Sequence, residues 1–511
     1  MSVQHPSHIA ETAPEHPALI MGGTGRLVTY AELEDRSNRV AGVLRELGLG
    51  VGSHVAVLLE NRPEFFEVVW GALRIGAYVT PINWHLAPEE AAYIIEDCGA
   101  STLFASADLG DVVSELHAAD RPAARLAVGG SIAGFDDYEQ ALSTQTGAPV
   151  ADQAEGSWMF YSSGTTGRPK GIKPPHVGGP LGAPNSFVAL AAGLYGFTDE
   201  SVYLSPAPLY HAAPAGWTNA VHRLGGTNVV MERFDALETL ALIEEHRVTH
   251  VQFVPTHLVR LLKLPEADRT RFDLSSLRVV VHAAAPCPPE VKRATLDWLG
   301  PIVHEYYSGS EGVGFCAIGP EEWLEHPGSV GRSMLGTAHV VGPDGVELPP
   351  MTEGELWFES PGRFEYHGDP AKTAAVFDDR GWSTLGDIGM VDEEGFVYLT
   401  DRASNMIISG GVNIYPREVE DVLVGHPLVA DAVVIGIPDP EMGESVRAVV
   451  QLIDTAPPPA GAEESIIAFC RERISHFKCP TSVYVIDEVP RLPSGKVARR
   501  LLPPEVREPA G

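Results

Sequence analysis

The sequence predicts an α/β protein: a large N-terminal domain of parallel-rich βα sheets with a small β-rich subdomain, then a small α+β C-terminal domain. Three changes of texture along the chain predict it. From His54 to Tyr307 apolar, strand-like runs alternate with helical patterns. From Gly328 to Leu399 short strands and Gly-rich turns take over, and after Asp401 a compact mixture of helices and strands follows.

The elements follow in order. HVAVLLE, starting at His54, is an apolar run of strand length, and the amphipathic PEFFEVVWGALRIG follows it. TNVVM precedes DALETLALIEEH, VTHVQFV precedes PTHLVRLLKL, and LRVVVHA precedes PPEVKRATLDWL. Each pair reads as a strand and the helix that crosses back, so a parallel sheet is expected, with ligands at the carboxyl ends of its strands. GPDGVELPPMTEGELWFES and DEEGFVYL carry the turn residues of short antiparallel strands. REVEDVLVGH, ADAVVIGI, VRAVVQLI, SIIAFCRERI and SVYVIDEV compose the last domain. The expected division is residues 1–403 and 404–511.

Composition narrows the function. A chain of 511 residues exceeds one ordinary domain, and 44% hydrophobic with 20% charged residues is a globular balance. A formal charge of -32 repels nucleic acid and anionic membranes, so neither is an expected partner. Five scattered cysteines without a CxxC pair argue against a disulfide framework or a zinc site. No apolar run reaches the length of a membrane span and the N-terminus carries no leader pattern, so a cytoplasmic protein is expected.

The stretch YSSGTTGRPKGI (Tyr161 to Ile172) concentrates hydroxyls, glycines and a lysine. Gly164 and Gly167 let backbone N–H groups approach an anion, Ser162, Ser163, Thr165 and Thr166 add donors, and Lys170 adds charge. It is either a phosphate cradle or an ordinary turn, and it is no Walker loop, because Lys170 is followed by Gly171. SPAPLYHAAP, VHAAAPCP, EYYSGSEG, WSTLGD, DRASNMIISGGVNIYPREVE and PRLPSGKVARR follow in that order. Singly, each reads as a loop, a tight turn or a solvated surface.

Together, and in this order, these motifs resemble those of the adenylate-forming superfamily, which includes acyl-CoA synthetases, over nearly the whole chain. The resemblance implies that Ser162, Ser163, Gly164, Thr165, Thr166, Gly167 and Lys170 hold the outer phosphates of ATP. It puts His211 beside the reacting carboxylate, Ala283, Ala284 and Ala285 along the adenine, and Tyr307 stacked on it. Ser310 stands for the usual threonine, and Ser308 occupies a position where glycine is usual. Glu311 and Thr165 are implied as Mg²⁺ ligands, Asp387 and Arg402 as ribose and phosphate contacts, and Gly410 and Gly411 as the path of coenzyme A. Lys496 is the implied catalytic lysine, with His211 and Glu311, carried on a mobile C-terminal domain. The expected acyl pocket comprises His211, Gly216, Trp217, Tyr306, Ser308 and Val313. Ser404 occupies the expected hinge, where aspartate or lysine is common.

The implied activity is ATP-dependent conversion of a small carboxylic acid to an acyl-adenylate, then transfer to coenzyme A with release of AMP. Two rivals stand beside it: an amide bond synthetase or carrier-protein acyl loader, using an amine or a tethered thiol, and a non-catalytic nucleotide-binding protein. The identity of the acid and the oligomeric state, a homodimer among the options, are open at this stage.

Overall fold

The computed structural model describes residues 4–116, 122–162, 169–174, 178–285, 287–359, 364–402, 405–409, 412–439, 442–453, 458–491 and 497–508. Among these, two large sheets and a small three-stranded one build the large part. In the first, six strands run in the order Asp136–Asp137, Ala124–Val128, Thr102–Ser106, His54–Leu58, Tyr78–Pro81, Ser157–Trp158, every pairing parallel. The near-continuous apolar character of His54–Leu58 and Thr102–Ser106 follows from burial on both faces.

The second sheet has a parallel centre of Pro17–Met21, Thr227–Val230, Val202–Ser205, His250–Phe253, Val279–His282 and Val303–Tyr307. The expected βα units are present here: Pro255–Leu262 follows His250–Phe253, and Pro289–Leu299 follows Val279–His282. The β-rich stretch is hydrogen-bonded onto the same sheet. Cys316–Ile318 pairs antiparallel with Val303–Tyr307, and Ser329–Ser333, Phe396–Arg402, Ser383–Val391, Gly354–Glu359 and Thr337–Val341 extend it. Gly331 makes this possible: at φ 93° its absent Cβ would stand 1.9 Å from the Ala317 carbonyl oxygen.

The C-terminal part is a smaller α+β unit. Gly443–Leu452 pairs antiparallel with Val429–Asp439 and parallel with Ser482–Ile486, and helices Pro416–Val424 and Ala462–Arg471 cover the sheet. The expected boundary at 403/404, with Ser404, lies outside the described residues. All five cysteines are free and buried. Among the described residues no helix is long and apolar enough to cross a membrane.

Candidate active site

A cavity of about 1690 Å³ lies at the carboxyl ends of the parallel strands, where Gln252, Ala284, Ala285, Glu305, Tyr306 and Tyr307 reach its wall. The chain leaves strand Val279–His282 through Ala284 at φ 72°, a left-handed conformation that costs a residue with a Cβ about 1 kcal/mol or more. That turn exposes backbone to the cavity. Ala283, by contrast, is packed inward among Val188, Trp217 and Phe315.

Tyr307 and Asp387 meet although 80 residues separate them: the phenol donates to Asp387 Oδ2 at 2.6 Å. Asp387 is buried, and Arg402 stands opposite it on the neighbouring strand. Glu311 accepts a hydrogen bond from the Tyr366 hydroxyl at 3.1 Å, and Lys170 Nζ lies 5.0 Å from the centre of the Tyr366 ring. Strand Lys170–Lys173 holds this arrangement, paired on one side with Phe160–Ser162 and on the other with Glu365–Tyr366. The expected phosphate loop falls in sequence between the first two strands; Ser163, Gly164, Thr165, Thr166 and Gly167 lie outside the described residues, and Ser162 is placed by its strand. Ser308, Ser310 and Glu311 line the cavity. Among the described residues no group of three or more His, Cys, Asp or Glu could hold a metal ion. The single Glu311 carboxylate suits Mg²⁺, which takes one or two carboxylates and fills its remaining positions with phosphate oxygens and water.

The opposite wall is helical. His211 occupies the N-cap of helix Ala212–Leu224, with its side chain making no cap bond. His211, Ala212, Gly216, Asn219 and Ala220 face the cavity, as the 3.6-residue period requires of one helical face. Trp217 is turned about 100° from Gly216. It therefore sits one layer behind the wall, within reach of Phe187 (4.9 Å), Tyr195 (5.4 Å) and Tyr306 (6.1 Å). Val313 is likewise in the core. Of the aromatic residues the sequence suggests for the pocket, Tyr306 and Phe315 line the cavity, and Phe187 lines it where Trp217 does not.

Glu305 at the cavity edge is bonded by Lys292 Nζ at 2.6 Å, with His282 Nε2 at 3.5 Å. Burial acts to raise the Glu305 pKa, but its interactions with His282 and with the Lys292 ammonium outweigh it and hold the carboxyl below its usual range. Burial also lowers His282 to about 4.

The C-terminal part closes the cavity. Arg417, Glu420, Asp421, Arg491 and Val497 line it. Arg491 donates to Asp431 at 2.6 Å, Arg499 to Glu420 at 2.8 Å, and Lys263 of the large part donates to the carbonyls of Val429 (3.1 Å) and Ala430 (3.0 Å). Lys496, Gly410 and Gly411 lie outside the described residues. The residues flanking Lys496 do not: Arg491 and Val497 form an antiparallel bridge at the cavity.

Sequence reasoning missed Tyr366, Lys292, Glu305, Asn219 and Gln252. The last two carried a readable signal, a polar residue inside an apolar strand (VQF) or helix (TNAV).

Residues 7–366 match the AMP-binding enzyme family and residues 418–496 the AMP-binding enzyme C-terminal domain. The chain is 34% identical to a feruloyl-CoA synthase of an Amycolatopsis species, covering 97% of this chain and 96% of that one. It is 33% identical to the fatty acid–[acyl-carrier-protein] ligase ScoC of Streptomyces coeruleorubidus, over 98% and 95%. The structure of ATP-bound MatB from Rhodopseudomonas palustris superposes with a TM-score of 0.82 at 27% identity, covering 98% of both chains. With the ordered motifs converging on one cavity and both family segments matched, the chain belongs to the AMP-binding enzyme family of adenylate-forming ligases.

Proposed function

We propose that the protein activates a carboxylic acid with ATP, releasing pyrophosphate, and passes the acyl group to the thiol of coenzyme A, releasing AMP. The convergence of Tyr307, Asp387, Glu311, Lys170 and His211 on one cavity, from four separated stretches of sequence, carries this reading. A carboxylate is a poor acylating agent, so its oxygen must first attack the α-phosphate, and the obstacle is repulsion between anions. Charge placed in advance lowers that barrier.

In this reading Asp387 accepts the ribose hydroxyls, and Tyr307 holds its carboxylate in place while offering a ring to the adenine. Glu311, steadied by Tyr366, holds Mg²⁺, which would neutralise charge on the phosphates. The N-terminus of helix Ala212–Leu224 beside His211 presents N–H groups and the positive end of a helix dipole to the acid's carboxylate. Lys496, next to the bridged Arg491 and Val497, would meet the charge shared by carboxylate and α-phosphate. After activation the C-terminal part would swing, withdrawing Lys496 and bringing Gly410 and Gly411 to the thiol's path.

Coenzyme A is favoured by the SGG sequence at Ser409 to Gly411 and by the feruloyl-CoA synthase relative. The Streptomyces relative favours a second reading, in which a carrier protein's tethered thiol takes the acyl group. The test supplies ATP, Mg²⁺ and a panel of aryl and alkyl acids with coenzyme A, phosphopantetheinylated carrier protein or a primary amine, and identifies products by mass. A coenzyme A thioester is the expected product. Acyl-carrier protein or amide formed in its place would reassign the acceptor.

A further inference from the structure

The acid-binding wall contains a polar atom that a hydrocarbon cannot serve. Asn219 is 8% exposed, lines the cavity, and has its two amide ends in different circumstances. Oδ1 accepts from Arg223 Nε at 2.7 Å, and Arg223 is in turn held by the carbonyl of Gln4 at 2.9 Å and by the carboxylate of Glu155. Rotating the amide would set Nδ2 against the guanidinium, donor against donor, so its orientation is fixed. Nδ2 is therefore the end left over, buried and without a hydrogen-bond partner among the described residues. Gln252, 3% exposed on strand His250–Phe253, also lines the cavity and leaves its Oε1 without a partner.

Position sets the length of what would reach it. Asn219 is eight residues beyond His211, roughly 12 Å along the helix at 1.5 Å per residue. Ala212, Gly216 and Ala220 are small, and the bulky neighbour along this stretch is the Phe187 ring of the adjoining helix, packed against Gly216. Arg223 is already committed to Glu155, so its charge is not spare to receive a second carboxylate at Asn219. The remaining match for an N–H donor is a neutral oxygen.

We propose that Asn219 is a specificity-determining residue: the acid carries a neutral, hydrogen-bond-accepting oxygen on the order of 10 Å from its carboxylate, seated on Asn219 Nδ2. This rests on the acid-activation reading above. An acid lacking the oxygen buries the Asn219 donor unpaired, the situation in which sites built for a polar group discriminate most strongly.

The test measures acid-dependent pyrophosphate release for two matched pairs: phenylpropanoate with its para-methoxy derivative, and octanoate with its ω−1 keto derivative. Wild type should favour the oxygenated member of each pair in kcat/KM by about tenfold to a hundredfold. Asn219→Asp preserves size and the bond from Arg223 while setting an anionic oxygen against the substrate's acceptor. The ratio within each pair should then collapse toward one or invert. Asn219→Ser, too short to reach, should abolish the preference in the same way and serves if the Asp variant does not fold. Equal use of both members by wild type, or a preference surviving both substitutions, overturns the assignment to Asn219 alone. Release of pyrophosphate with none of the four acids overturns the acid-activation reading itself.

Discussion

The bond from Tyr307 to Asp387 ties together the two residues proposed to meet adenine and ribose. A hydrogen bond to a charged group contributes about 1.5–3 kcal/mol, so Tyr307→Phe, which keeps the ring and removes the donor, should raise KM for ATP about tenfold. Steady-state kinetics with saturating acid decide it: a fall in kcat with KM unmoved would contradict a positioning role. At this scale the order of the motifs, rather than any single residue, brought Glu311 to attention, and it lines the cavity. The sequence was misleading where helical phase decides. Trp217 reads as a bulky pocket wall, but one position's rotation from Gly216 hides it behind Phe187 and Tyr306. The partner of Tyr307 was not legible at all, because a contact spanning 80 residues depends on strand register that no local pattern encodes.

Helices Tyr30–Glu46 and Pro63–Leu73 are fastened by Arg74, which is fully buried at the C-cap of the second. Its guanidinium bonds Glu34 at 2.6 Å, Ser37 at 2.9 Å and Asn38. Arg74→Ala should destabilise the fold by about 3–5 kcal/mol, because three polar groups lose a shared buried partner. Urea unfolding measures it, and a loss under about 1 kcal/mol would show that these elements hold without the network. The βα units were legible because their apolar runs are long and end in turns. Helix Ser186–Tyr195, inside a stretch that reads as Gly- and Pro-rich loop, was not. Its signals were nonetheless present: Asn185 caps it, accepting from the N–H groups of Phe187 (2.9 Å) and Val188 (3.2 Å), and Gly196 ends it at φ 67°. The continuity of the β-rich stretch with the parallel sheet escaped the sequence for the same reason as the Tyr307 contact, since the joining strand Cys316–Ile318 is three residues long.

Over the whole molecule, burial of neutral histidines sets the response to acid. Burial lowers His54, His222, His250 and His282 to about 4 and His257 to about 3. His222 shows why: it is fully buried, and Trp70 Nε1 donates to its Nδ1 at 3.1 Å, so protonating that nitrogen costs a bond, while the Ala18 carbonyl facing Nε2 at 3.0 Å offsets the effect of burial only in part. The unfolded chain binds more protons below about pH 6.5, so the stability these residues contribute is complete above that pH and falls as pH drops toward 4. Thermal unfolding should show a lower Tm at pH 5 than at pH 7, and His257→Gln should flatten that slope. A Tm independent of pH across this interval would contradict the neutral burial.

The large and small parts were legible as separate textures, and the order of motifs pointed to one chemistry, yet the cavity between them comes only from folding. The proposed chemistry uses Lys170, on a strand of the large part, and Lys496, which precedes Val497 in sequence, in different ways. The measurement that tests the central claim most directly is acid-dependent exchange of radiolabelled pyrophosphate into ATP, with wild type and Lys496→Ala. Wild type should catalyse exchange only when a carboxylic acid is present, and the variant should lose it by about a hundredfold or more. Exchange undiminished in Lys496→Ala, or absent from wild type across the acid panel, would contradict the account.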